Sequence, residues 1–151
     1  IAVTNLTQKK LEIITKGNPG TAVQISSSIP GAFIPTQHNS DIYVDGGVLS
    51  VVPVEAARSM GARTVIAVDI YCNPDIETTK RSILVATARL QACQISEDEI
   101  QSADVIIRPN FEPENMGTFS DKSIAIKAGY DAAKQNMTKI KALLQTPSQA
   151  I

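Results

Sequence analysis

The stretch that decides the fold runs from Asp41-Ile42-Tyr43-Val44-Asp45-Gly46-Gly47, through Pro53-Val54-Glu55-Ala56-Ala57-Arg58-Ser59-Met60-Gly61, to Thr64-Val65-Ile66-Ala67-Val68-Asp69. Asp41 to Val44 reads as a short strand that runs straight into Asp-Gly-Gly. Val48 to Val52 is an apolar connection. Pro53 suits the first position of a helix, where its missing N–H costs nothing. Glu55 in the first turn suits the helix dipole, and Gly61 is a natural C-terminal stop. Thr64 to Asp69 is an unbroken β-branched run, the pattern of a buried strand.

Toward the C-terminus the alternation continues. The pattern is helical from about Thr78 to Ile95, with Ile83, Ala86, Leu90 and Cys93 on one apolar stripe. Asp104 to Ile107 reads as a buried strand stopped by Pro109. Residues 109–119 form a loop. A last helix opens near Ser120-Asp121, carries Ile126, Tyr130, Ala133, Met137, Ile140 and Leu144 along one face, and ends at Pro147. Toward the N-terminus, Ile1 to Leu6 and Leu11 to Thr15 read as strands joined by a polar hairpin turn. Gly17-Asn18-Pro19-Gly20 is a strong break. Thr21 to Ile29 reads as a short helix ended by Pro30-Gly31, and a loop runs to Ser40. The βαβα order with all-apolar strands predicts an α/β protein, its mostly parallel sheet covered by helices on both faces. In such sheets functional groups sit beyond the carboxyl ends of strands.

Composition narrows the chemistry. The chain has 151 residues, with 14 Lys+Arg against 15 Asp+Glu, one histidine, two cysteines and no tryptophan. A zinc site built from His and Cys would consume nearly all of them. Two cysteines cannot form a disulfide framework. A Ser-His-Asp triad within the chain would have to use His38, which lies in the polar loop. A near-neutral charge with no basic run argues against a nucleic-acid partner. No stretch approaches the roughly 20 apolar residues of a membrane span. No charged and then apolar leader is visible, which points to the cytoplasm. The opening run, Ile1-Ala2-Val3-Thr4-Asn5-Leu6, reads as a strand already under way, as in part of a longer protein.

Asp45 is the leading candidate for chemistry. A rigid strand would present its carboxylate at the functional edge, and Gly46 and Gly47 let the backbone turn and another group approach. A carboxyl near pKa 3.9 is a weak base at neutral pH, and partial burial makes such a group a better proton acceptor. The competing reading is a simple turn, since Asp-Gly is a common turn signal. Against a hairpin, a helix start and a buried strand follow, so no partner strand comes next. Cys72 and Cys93 read as packing residues. Asp69 could bind a ribose hydroxyl, but the G-x-G-x-x-G that reading needs is absent. Phe111, Met116 and Phe119 could line an acyl pocket or merely anchor a loop. G-x-S-x-G, a serine on a sharp strand-to-helix turn, occurs nowhere.

Together these residues resemble the C-terminal half of bacterial patatin-like phospholipases, the group that includes the neuropathy target esterase catalytic domain. Val3-Thr4-Asn5-Leu6 is similar to that family's strand ending in Thr-Asp-Leu or Thr-Asn-Leu. Ser26 to Pro35, reading Ser-Ser-Ser-Ile-Pro-Gly-Ala-Phe-Ile-Pro, resembles its helix end and loop. Val44-Asp45-Gly46-Gly47, then Pro53 to Ala62, then the strand to Asp69, follow in the family's order. Ala103 to Pro109 and Gly129-Tyr130 resemble later segments.

The resemblance implies a three-layer α/β/α sandwich, with residues 1–151 as the C-terminal part of a single hydrolase domain. It implies a serine hydrolase acting by a Ser-Asp dyad without histidine or cofactor, in which Asp45 takes the proton of the attacking serine. Phospholipid, lysophospholipid or similar acyl esters are the implied substrates, and peripheral membrane contact is compatible with them. The family's nucleophile elbow and glycine-rich oxyanion loop precede the region seen here. A companion N-terminal segment carrying both is therefore expected, and this chain alone should be inactive. The rival readings are a non-catalytic patatin-fold binding or scaffold module and a nucleotide-binding module resting on Asp69.

Overall fold

The computed structural model describes residues 1–72, 83–111 and 120–145. Thr78 to Ser82 of the expected helix, Met116 and Phe119 of the suggested acyl pocket, and the stop at Pro147 lie outside the described residues.

A four-stranded sheet holds β1 (Ala2–Asn5), β2 (Lys10–Ile13), β3 (Thr36–His38) and β4 (Asp41–Asp45) in the order β2-β1-β4-β3. Every pairing in it is antiparallel. This corrects the expected mostly parallel sheet, and for the β1–β2 and β3–β4 pairs the physical reason is the brevity of the connections. The turn from Leu6 to Lys9, with Lys9 at φ 56°, returns the chain directly onto β1. A second tight turn at Asn39, φ 55°, does the same between β3 and β4. Parallel pairing needs a long crossover that neither turn can supply. The Gln- and His-bearing loop of the sequence reading is therefore partly strand, and His38 sits in it opposite Asp41.

β1 and β4 are the interior strands. Val3, Thr4 and Asn5 are all buried. A buried amide must find partners, and Asn5 finds them: its Nδ2 donates to Glu12 Oε1 and Asp41 Oδ2, both at 2.9 Å, and its Oδ1 accepts from the Gln8 amide. The α1 helix (Pro19–Ser26) packs against β1 and β4. Its start is encoded locally. The Asn18 side chain accepts from the Gly20 and Thr21 amides, and Pro19 needs no partner for a missing N–H.

The parallel character appears in a second sheet, β5 (Ile66–Val68) beside β6 (Val105–Ile107), joined by the crossover through α3 (Ile83–Glu99). Alternation along both strands buries opposite faces. Ala67 joins Val54, from α2 (Val54–Ser59), and Ile100 in one cluster. Val105 and Ile107 join Ala132, from α4 (Lys122–Gln135), with Ile140 and Leu143, from α5 (Met137–Gln145), packed against them. Arg58 at the end of α2 ties these parts together. It donates to the Arg63 and Ser102 carbonyls and pairs with Asp104 at 2.7 Å. Asp104 also accepts from the Val65 amide, and these bonds hold its carboxyl below the usual range.

Three expectations are corrected here. The single last helix is two, broken at Asn136, whose side chain folds back onto the Ala132 carbonyl. The α3 stripe is not a buried face, since Ile83 and Leu90 are exposed. Cys72 and Cys93 are not separate packing residues but a disulfide, which anchors the turn after β5 to α3.

Candidate active site

Asp45 stands at the carboxyl end of β4, where its strand stops pairing with Val3. Its own amide donates to the Ser28 carbonyl at 3.1 Å, so the segment just past α1 fixes the backbone of the candidate base. Its Oδ1 accepts from the Gly47 amide at 2.8 Å and caps the short 3-10 turn Gly46–Val48. The turn is thus a capped 3-10 turn and not the hairpin that Asp-Gly alone would suggest. Among the described residues, Oδ2 has no hydrogen-bond donor. The carboxylate is half-buried and lines a cleft of about 450 Å³ together with Ser26, Ser27, Gly47, Val51 and Tyr71.

The two glycines do different work. A Cβ on Gly46 would lie 2.5 Å from the Ala2 carbonyl oxygen, so only glycine lets this turn press against β1. A Cβ on Gly47 would instead meet Asp45 Oδ1 at 3.2 Å, so its absence clears space for the carboxylate.

Sequence reasoning missed Glu99. Its carboxylate, at the end of α3, accepts from the Ser50 hydroxyl and from the Val51 and Val52 amides at 2.8 and 2.7 Å. These bonds fix the segment that follows Asp-Gly-Gly and forms one wall of the cleft. No local pattern announces them, because Glu99 and Val51 are 48 residues apart. Tyr71 was also missed, although its place just past a strand end could have signalled it.

The remaining candidates go elsewhere. Asp69 is fully buried and committed: it accepts from the Tyr71 and Cys72 amides and from Arg108 Nε at 3.0 Å. That leaves no role for it at a ribose. His38 lines a separate cleft of about 310 Å³ with Glu12, Lys16 and Tyr43. There the Asn5 amide holds the Glu12 carboxyl low, while desolvation raises the Tyr43 phenol. Asp45 and His38 thus line different clefts. Among the described residues, Cys72, Cys93 and Glu97 come close enough to hold a metal, but the two sulfurs are bonded to each other.

Residues 3–58, which contain most of β1, all of β2 to β4, the capped turn and most of α2, match the family model for patatin-like phospholipase. This stretch is similar to the patatin-like phospholipase family. The chain is 34% identical over 67 residues to Lysophospholipase NTE1 of Yarrowia lipolytica, a match covering 44% of this chain and 5% of that protein. It is 36% identical over 67 residues to Lysophospholipase NTE1 of Eremothecium gossypii, covering 44% of this chain and 4% of that one. Mouse Patatin-like phospholipase domain-containing protein 7 is 32% identical over 78 residues, covering 50% and 6%. These relatives are eukaryotic, whereas the sequence resemblance was drawn to bacterial members. The matching stretches are a small part of each relative's length.

Proposed function

We propose that this chain supplies the general base of an acyl-ester hydrolase acting on phospholipids or lysophospholipids, as part of a three-layer patatin-like domain. The observation that carries the proposal is Asp45 itself, clamped through one oxygen by the Gly47 amide with the other oxygen open in a cleft. In this mechanism a serine from a companion segment attacks the ester carbonyl, and its Oγ proton passes to Asp45. The developing oxyanion is stabilised by backbone amides of the companion's glycine-rich loop. Protonated Asp45 returns the proton to the leaving alcohol as the C–O bond breaks. It then takes a proton from water, whose oxygen attacks the acyl carbon, and gives that proton to the serine Oγ as the acyl–serine bond breaks and the free acid leaves. Every proton transfer runs through the same carboxylate, so no histidine and no cofactor is required. Family names of the relatives support the substrate class.

Replacing Asp45 by Asn removes the proton acceptor while keeping the shape and the acceptor oxygen for Gly47. In the complete protein, D45N is expected to abolish turnover of p-nitrophenyl butyrate with an unchanged circular-dichroism spectrum. Full activity in that variant would remove Asp45 from the mechanism. An inactive wild-type protein without a serine elbow would favour the non-catalytic module.

A further inference from the structure

We propose that Tyr71 is a substrate-binding residue of the Asp45 cleft, its phenol donating a hydrogen bond to an oxygen of the bound ester. The inference rests on the hydrolase reading and adds a residue outside the 3–58 family match. Tyr71 reaches the cleft from a different sheet, on the turn just beyond the carboxyl end of β5.

The turn is anchored on both sides of the ring. The Asp69 carboxylate, with its side chain 0% exposed, accepts from the Tyr71 amide at 2.9 Å and the Cys72 amide at 3.3 Å. A buried carboxylate is costly unless paired, and Arg108 pairs it through Nε at 3.0 Å while its other arm reaches Glu97 on α3. Cys72 is bonded to Cys93 on the same helix. An ion pair and a covalent bridge thus fix the residues flanking Tyr71.

The hydroxyl itself is unused. Among the described residues it has no hydrogen-bond partner, and with Tyr71 38% exposed the phenol is open to the cleft. Burial, and next the charge of Asp45, push its proton affinity up, with Arg89 opposing. The phenol therefore remains a donor at neutral pH, suited to the ester or glyceryl oxygens of the substrate and not to base chemistry. A neutral donor beside an open carboxylate gives the cleft one group that binds the ester and one that moves protons.

The test is steady-state hydrolysis of p-nitrophenyl butyrate by the complete protein carrying Y71F, Y71H or D45N. Y71F deletes a single oxygen and is expected to raise KM about tenfold with little change in kcat, the size of one lost hydrogen bond. Y71H, which keeps a ring donor, is expected to recover most of that loss. An unchanged KM in Y71F, alongside an inactive D45N, overturns the role of Tyr71 and leaves Asp45 standing. An active D45N overturns the base reading, and no turnover in the wild type overturns both.

Discussion

At the scale of single residues, the adjacent glycines separate structure from chemistry. G46A forces a Cβ into the Ala2 backbone, which can yield only if β1 moves. Overpacking of this kind costs about 1–3 kcal/mol, and urea unfolding should show a lowered midpoint. G47A meets only a side-chain oxygen, one able to rotate. Its stability should stay closer to wild type, while the displaced carboxylate lowers ester turnover about tenfold. A G47A variant with full activity would show that the Asp45 orientation is not set by this contact. Asp45 was legible in the sequence because strand, acid and glycines are contiguous. The clamp on Oδ1 was not, because Asp-Gly-Gly alone does not say whether the side chain caps the turn or points away.

At the scale of elements, α3 matters less for its own apolar stripe than for what its end holds. Glu99 satisfies two amides and a hydroxyl of the segment after Asp-Gly-Gly. E99A would leave those donors without their acceptor, at a cost of about 1–3 kcal/mol. Urea unfolding should register that loss, and hydrogen exchange should quicken at the Val51 and Val52 amides. Unchanged exchange at both would mean that the segment is held by its packing alone. Strands and helices were placed from sequence to within a few residues wherever punctuation was strong, as at Asn18-Pro19 and Pro53. The break at Asn136 escaped because the apolar spacing passes through it without interruption. Strand β3 escaped because Thr36-Gln37-His38 has no apolar alternation and is strand only by pairing with β4.

At the scale of the whole molecule, the apolar surface is incompletely covered. Ile66 and Val68 on β5, and Ile124, Ile126 and Tyr130 on α4, are all exposed. Among the described residues two sheets are present where the resemblance implied one. A catalytic serine must come from outside these 151 residues if the hydrolase reading holds, since no G-x-S-x-G occurs in them. The expected outcome is that the chain alone hydrolyses no p-nitrophenyl butyrate, and that activity appears when a companion segment bearing the elbow is co-expressed. Turnover by the chain alone would contradict the dyad shared between segments. An intact-mass measurement on active native protein would show whether the two parts are one polypeptide.

The sequence by itself determined the α/β character, the hairpin at the start, the approximate place of most helices and the placing of Asp45 at a strand end. Those features follow from propensities and punctuation acting over a few neighbouring residues. Tertiary structure alone decided that β4 lies antiparallel beside β1, that Gly46 meets Ala2, and that Glu99, Tyr71 and the Cys72–Cys93 bridge converge around the cleft. These contacts join residues tens of positions apart. Which distant segments meet is set by pairing and burial across the whole chain, on which local residue preferences are silent.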